Sequence, residues 1–443
     1  MIKFFKNSYL TTRLLLVLIG LVVLFILGFP YTFIYSVAKI LLYCLFTVII
    51  IDILLLFVKN GIDAKRITHD KLSNGDINHV TIEITNTYKL KLHLEIIDEV
   101  PQQFQLRDKT FTTSILPNSR KKLEYTLRPT ERGEYEFGNI NIYVTTALGL
   151  IQKRYTINQS MTIGVYPSFI QLKKYELMAF SNRLDQIGVK KIRNIGQNRE
   201  FEQIKEYTFG DDFRTVNWKA TARRSQLMVN QYEDEKSQQI ISLIDKGRSM
   251  KMPFDGLSLV DYAINASLVL SSVSIHKQDK AGLITFSNVI GNIVPPGNKS
   301  SHMNLILETL YKQQTRYQES DYGRLYRNIK WNIKRRSLLF LYTNFESVVG
   351  MKRQLRYLRS IAKDHLLVVI FFQNSELNRK IDAKATSIEQ IYEKTLAEKY
   401  RQDKELISRE LNKYGIQTIL TEPQNLTVNA INKYLEMKSR GLI

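Results

Sequence analysis

The chain has one cysteine in 443 residues, Cys44, and six histidines scattered without ligand spacing. An internal disulfide is excluded, and so is a structural zinc site, which needs closely spaced sulfur or nitrogen donors. Acidic residues are scarce beside basic ones, 42 against 63, which leaves a net charge of +21. Such an excess favours polyanionic neighbours: nucleic acid, an acidic protein or the anionic face of a bilayer. Also missing are a G-x-x-x-x-G-K-[ST] phosphate loop, a G-x-S-x-G elbow, an H-E-x-x-H helix and a dinucleotide fingerprint. Their absence lowers the odds of the commonest enzyme classes.

Charge is absent altogether from Leu14 to Val37, and after Lys39 a second apolar run extends from Ile40 to Val58. Each run is about the 20 residues needed to cross a bilayer as helix. The second run follows too closely, and without a small-residue cleavage site, for the first to be a removable signal. Gly28, Phe29 and Pro30 place the bend, so residues 1–60 are expected to form a helical hairpin with helices at about 10–29 and 32–58. Lys3, Lys6 and Arg13 flank one end, and Lys59, Lys65 and Arg66 the other. Cations at both ends place both in the cytoplasm. The expected location is the bacterial inner membrane, with the soluble domains facing the cytoplasm. Asp52, about two turns from the inner end, is expected to snorkel or to hydrogen-bond across the helix pair.

From 65 to 170 the chain alternates apolar and polar residues in "HVTIEITNTY", "KLHLEIIDEV", "KKLEYTLRP", "INIYVTTALG" and "MTIGVYPS". Turn signals separate these runs, which predicts an all-β, immunoglobulin-like sandwich. Residues 171–235 read as a polar, basic connector. From 236 to 443 short apolar strands such as "QQIISLID", "KAGLITFS", "SLLFLYTN" and "HLLVVIFFQ" alternate with amphipathic helices. That is the pattern of an α/β, doubly wound, Rossmann-like sheet.

Ligands bind such sheets beyond the carboxyl ends of the strands. The first strand ends in "IDKGRSM", with Asp245, Gly247 and Ser249 at spacings of two and four. Oxygen ligands so spaced suit a hard divalent cation such as Mg²⁺. The run resembles the first element, D-x-S-x-S, of the metal-ion-dependent adhesion site of von Willebrand factor A domains. That resemblance implies a hydroxyl before a later helix, for which "PPGNKSSHMN" offers Ser300 or Ser301, and an aspartate where "LYTNFES" has Asn344. With Gly247 and Asn344 in place of a hydroxyl and a carboxylate, the set is degenerate. Asp245 capping its own turn is the alternative.

The connector holds "YTFGDDFRTVNWKATARR", residues 207–224. Asp211 or Asp212 is expected to cap a short helix, on which Arg214 and Trp218 stand four apart and can stack. Adjacent aspartates amid arginines stay ionised and supply no acid–base pair, so the stretch reads as a domain junction or docking surface rather than a catalytic site. It resembles the signature of domain-of-unknown-function family fifty-eight, R-E-Y-x-x-G-D-x-x-R-x-I-x-W-x-x-x-A-R. Glu206, Tyr207, Gly210, Asp211, Arg214, Trp218, Ala222 and Arg223 match, and Lys205 stands where arginine is usual. The hairpin, "RGEYEFGNINI", "ALGLIQK" and "IDKGRSM" extend the likeness along the chain. The resemblance implies a membrane-anchored von Willebrand A-like adaptor associated with MoxR-type AAA+ ATPases, with no established reaction.

Between Arg324 and Lys363 there are eleven basic residues and one glutamate, Glu346. Lys352, Arg356, Arg359 and Lys363 fall on one helical stripe, either a solvated face or a contact for anionic lipid or acidic protein. Nucleic acid is not the expected partner, because no recognition fold accompanies the charge. The resulting expectation is a non-enzymatic, membrane-anchored scaffold presenting its α/β domain to a protein partner. A metal-dependent hydrolase or transferase at Asp245, and a membrane-tethered nucleic-acid or lipid binder, are the alternatives.

Overall fold

A computed structural model describes residues 7–106, 109–180, 199–209, 211–234, 237–315, 318–374, 381 and 387–442. The chain forms two compact units, Met1–Tyr166 and Pro167–Ile443.

The first unit begins with a short strand β1 (Ser8–Leu10) and two apolar helices, α1 (Thr12–Gly28) and α2 (Thr32–Phe57). Thr11 caps α1 by accepting from the Leu14 N–H. Gly28 is needed at the bend: a Cβ there would meet the Tyr35 backbone nitrogen at 2.9 Å. Helix α2 has a mean hydropathy of 2.9 over its most apolar window, of which 11% is buried, so most of its surface is bare hydrocarbon. By length and composition it is a membrane-spanning candidate, with α1 a shorter apolar companion.

Ten strands follow: β2 (Ile62–Ile67), β3 (Lys71–Ser73), β4 (Asn78–Asn86), β5 (Leu92–Asp98), β6 (Thr110–Ile115), β7 (Arg120–Leu127), β8 (Gly133–Phe137), β9 (Ile140–Thr145), β10 (Ile151–Ile157) and β11 (Met161–Tyr166). They form sheets ordered β1-β10-β9-β5-β6, β2-β4-β7 and β3-β11-β8. In β4 every second residue is buried, which is how period-two patterning becomes one side of a sandwich core. Within that core Asp98 accepts from Arg66 and from the Tyr125 hydroxyl. The Arg66 guanidinium also donates to the Gln159 and Gly138 carbonyls, so four of its five N–H groups have acceptors in the buried site.

The hairpin and the sandwich are not separate bodies, as the expected boundary near residue 60 implied. Strand β1 pairs with β10. Thr11 Oγ1 lies 2.7 Å from the Gly149 carbonyl. Lys153 on β10 donates to the Leu56 and Lys59 carbonyls at 2.8 and 3.1 Å, placing a cation on the carbonyl end of α2. Asp52 neither snorkels nor bonds across the helix pair. It is fully buried, and its carboxylate accepts from Thr146 Oγ1 at 2.5 Å and from the Leu150 and Ile151 N–H groups at 3.1 and 3.0 Å. The turn between β9 and β10 brings three donors to a carboxylate that a helix pair alone would leave unsatisfied.

The second unit opens with α3 (Phe169–Phe180) and an antiparallel pair, β12 (Arg199–Glu206) and β13 (Met228–Asp234), joined through a short helix α4 (Trp218–Arg224). Part of the expected connector, 181–198, lies outside the described residues. Next come β14 (Gln239–Asp245), the small β15–β16 pair (Pro253–Phe254, Leu257–Ser258), α5 (Leu259–His276), β17 (Lys280–Phe286), β18 (Ile290–Gly297), α6 (Ser300–Tyr311) and α7 (Tyr322–Asn332). The unit ends with β19 (Leu338–Tyr342), α8 (Val348–Asp364), β20 (Leu366–Phe372), α9 (Ile388–Lys413), β21 (Gln417–Thr421) and α10 (Leu426–Ser439). The sheet order is β18-β17-β14-β19-β20-β21, parallel except for β18. Ile240 and Ile244 pack with α5 and α10 on one face. Ile241 and Leu243 pack with α7, α8 and α9 on the other. Helix α5 is apolar enough to pass for a membrane span, but 83% of its window is buried, which makes it a core helix.

Candidate functional site

Strand β14 delivers Asp245 to the carboxyl edge of the sheet, beside Phe286 at the end of β17. The carboxylate is 1% exposed and takes four donors. Thr343 Oγ1 lies at 2.7 Å, Tyr322 Oη at 3.2 Å and the Gly247 N–H at 2.8 Å, with Ser320 Oγ in direct contact. Burial pushes the Asp245 carboxyl above its ordinary range, opposed by those four donors. The Tyr322 hydroxyl is held well above its usual value, by burial and then by the charge of Asp245.

The Ser320 position has a local cause. Asp321 caps α7 by accepting from the Arg324 N–H, and the Arg248 N–H donates to the Gln318 carbonyl, tying residues 318–321 over the 245–249 turn. A Cβ at Gly247 would lie 2.2 Å from Ser320 Oγ. The glycine is therefore required by the serine above it, and the hydroxyl missing at 247 is supplied from another loop.

Of the expected ligand set, Asp245, Ser249 and Asn344 do come together around one cleft. Ser300 and Ser301 do not. Strand β18 runs antiparallel, pairing Gly297 with Ala281 at the start of β17, so α6 begins at the opposite end of the sheet from Asp245. Ser320, from the next loop, takes the place assigned to them. Asn344 Nδ2 reaches the Ser249 carbonyl at 3.4 Å, and Asn344 Oδ1 accepts from Lys404 Nζ at 2.6 Å. Lys404 also donates to the Phe345 carbonyl at 2.6 Å. Burial lowers the lysine pKa from 10.5 to about 8, with the charge of Glu346 opposing.

This donor set does not fit Mg²⁺. Its one carboxylate is committed to protein donors, and the asparagine oxygen that would face the cation already carries an ammonium. Among the described residues no group of three or more His, Cys, Asp or Glu side chains could hold a metal ion. Above Asp245 lies a cleft of about 240 Å³, rimmed by Arg248, Glu319, Glu346 and Arg353.

Ser320, Tyr322, Thr343 and Lys404 escaped the sequence reading. Lys404 had a signal: it lies on the buried stripe Ala397, Lys404, Ile407, Leu411 of α9, where a lysine must find internal acceptors. The three hydroxyl groups had none short of knowing which loops crown the same strand end.

The signature hairpin carries several exposed side chains. Asp211 accepts from Lys205, at 3.0 Å, and from Thr208, which lowers its pKa to about 2, the Thr208 N–H contributing most. Asp212 caps a turn at Phe213–Thr215, and Asn217 separately caps α4. The extended residue Val216 breaks the expected helix, so Arg214 and Trp218 lose their four-residue register. Phe213 instead meets the Trp218 ring edge-on, at 6.0 Å between centroids. Trp218 is 64% exposed, and Glu206, Arg214 and Arg223 are exposed too, with Tyr207 half-buried. Gly210 lies outside the described residues.

Lys352, Arg356, Arg359 and Lys363 all lie exposed on α8, as their spacing predicts. The fold adds a second basic helix beside them, because α7 and α8 share one buried cluster through Leu325, Ile329, Met351 and Leu358.

The chain is 26% identical over 191 residues to the uncharacterized protein YeaD of Bacillus subtilis, covering 41% of this chain. It spans about half, 47%, of that relative's length. Among solved structures, the conserved hypothetical protein BatB of Bacteroides thetaiotaomicron is similar at 14% identity and a TM-score of 0.28, over 46% of this chain and 98% of that one. A CARDB domain from Pyrococcus furiosus is similar at 15% identity and a TM-score of 0.17, over 24% of this chain and 86% of that one. Residues 203–379, which hold most of the signature hairpin, Asp245 and the α7–α8 face, match the family described as Protein of unknown function DUF58.

Proposed function

We propose that the protein is a non-enzymatic scaffold, anchored in the inner membrane by α1 and α2, with both units on the cytoplasmic side. Its second unit, read as von Willebrand A-like, presents the cleft above Asp245 to a protein partner. A MoxR-type AAA+ ATPase system is the partner that the family resemblance implies. The observation that carries this reading is the state of Asp245. A carboxylate shared among three hydroxyls and a backbone N–H is a poor base for any one of them, and no open coordination position remains on it. What reaches solvent is a rim of two arginines and two glutamates, a surface suited to matching charges on another protein.

The test is capture of partners from detergent-solubilised membranes by the full chain and by an Arg248→Glu, Arg353→Glu variant. Both arginines are exposed, so the variant should fold. Loss of a specific partner from the variant is expected. An identical set of captured proteins would overturn the reading.

A further inference from the structure

The strongest charge imbalance in the second unit lies away from the Asp245 cleft. Arg324, Arg327, Lys330 and Lys334 on and after α7, with the four cations of the α8 stripe, are all exposed on the side of the sheet that carries these two helices. Arg335 and Arg336 bring the exposed cations to ten; Arg353, also on α8, belongs to the rim of the Asp245 cleft. Nearby acids are few: Asp321 pairs with Arg324, Glu346 and Asp364 lie at the two ends of α8, and Glu410 on α9, paired with Lys413, is within electrostatic reach of Lys352.

Aromatic rings accompany the charge. Trp331, 79% exposed, ends α7 with Lys334 Nζ 5.9 Å from its ring, and beside it Ile290, Arg324 and Arg327 line a shallow open recess. Lys330 lies over Tyr326, Arg356 over Tyr357 at 4.5 Å and Arg359 over Tyr414 at 4.4 Å. An exposed indole among cations that lean on rings is the composition of a bilayer headgroup zone, where aromatics sit at the interface and lysine or arginine meets phosphate. A nucleic-acid surface would instead offer a row of open rings for stacking; here Tyr326 and Tyr357 are half-buried, and Tyr414, though exposed, carries the Arg359 guanidinium over its face.

We infer that the α7–α8 face is a docking surface for an anionic lipid bilayer, with Trp331 as its inserting side chain. Helix α2 supplies the second argument. A chain tethered through an apolar helix of 26 residues holds its other unit at high effective concentration beside the same membrane. A weak electrostatic contact then suffices to keep the face on the lipid, and raised salt or lost surface charge releases it. The inference rests on the membrane anchoring proposed above but not on the partner cleft, which none of Trp331, Lys352, Arg356, Arg359 and Lys363 lines.

The protein has two tryptophans, Trp218 and Trp331, so Trp218→Phe leaves Trp331 as the only indole. The full-length Trp218→Phe chain is placed in nanodiscs of phosphatidylcholine, with or without about one-third phosphatidylglycerol. Bromine-labelled acyl chains report depth, and iodide reports exposure to water. In anionic discs Trp331 emission should shift to the blue and be quenched by bromine; in neutral discs iodide should quench it. Each cation removed should weaken docking about fivefold. A Lys352→Gln, Arg356→Gln, Arg359→Gln, Lys363→Gln variant should therefore return anionic discs to the neutral-disc behaviour, with its melting temperature unchanged. Equal iodide quenching in both discs would overturn the inference. So would protection of Trp331 by a short DNA duplex or an acidic peptide but not by anionic lipid.

Discussion

Asp52 and Asp245 pose the same physical problem and answer it differently. Both are buried to within 1% of complete exclusion from solvent, one on an apolar helix and one at the end of an apolar strand. Asp52 receives two backbone N–H groups and one hydroxyl, all from one turn of the sandwich. Asp245 receives one backbone N–H and three hydroxyls, from two different loops and the head of a helix. Backbone donors cannot turn away, whereas hydroxyls rotate and can become acceptors. The first arrangement is a fixed pin between helix and sheet. The second tolerates a change of protonation or a rearrangement of loops, and it is the one that opens on a cleft.

The sharpest test of that contrast is Asp52→Leu, which removes the charge and leaves two N–H groups and a hydroxyl buried without an acceptor. Stranding those donors should cost about 2–5 kcal/mol. The variant should melt well below wild type in detergent, and protease should separate the hairpin from the sandwich. Asp52→Asn, which keeps one acceptor, should fall between. If Asp52→Leu melts within a degree of wild type, the pin is not what joins the two.

Lys404 tests the other side. Its pKa falls from 10.5 to about 8 on folding. A depressed folded value means that its favourable contribution is present above 10.5 and is lost as pH drops through about 8. Wild type should therefore gain stability as pH rises from 8 toward 10.5, by roughly 3–3.5 kcal/mol in all. Lys404→Met should lack most of that slope in denaturation curves taken across the window. Parallel slopes for the two proteins would mean that the ammonium is solvated, and the Asp245 region would then be open enough to admit an ion.

How far each aspartate could be read from sequence follows from the range of its contacts. The hairpin, the alternating strands and the α/β alternation each come from local periodicity, and the observed elements lie close to the expected ones. Asp245 at the end of "IISLID" needed only the rule that ligands gather beyond strand carboxyl ends. What stayed hidden is non-local. Asp52 is satisfied by residues 94 to 99 positions away, and Ser320 reaches Asp245 across 75. Choosing Ser300 or Ser301 assumed that the next hydroxyl-rich loop lies at the same end of the sheet, and the antiparallel β18 reverses that. For Trp218, the i,i+4 pairing with Arg214 failed at one extended residue, Val216, between two separately capped turns.

Gly247→Ser would supply the hydroxyl of the adhesion-type motif that the 245–249 run resembles, and a smaller loss is expected, about 1–3 kcal/mol. The new Cβ would meet Ser320 Oγ at 2.2 Å, so the serine must leave Asp245. Adding Ser320→Gly should recover part of that loss, giving a coupling energy in a double-mutant cycle. If the two substitutions are simply additive, Ser320 is not fixed on the carboxylate and the hydroxyl shell around Asp245 is looser than its distances indicate.

The smallest effect should come from Trp218, in the stretch that resembles the family signature. Trp218→Ala removes a side chain that is 64% exposed and, among the described residues, meets one other ring, that of Phe213. Its cost in stability should stay within about 0.5 kcal/mol, because little apolar area returns to water on unfolding. Asp52 and Asp245 are held by neighbours already present in the fold; Trp218 leaves most of its indole bare. A signature residue that adds almost nothing to stability is what a docking surface requires, since its burial waits for the partner. A drop of several degrees in the melting temperature of Trp218→Ala would mean instead that the ring is already covered within the folded chain, which is what a structural joint requires.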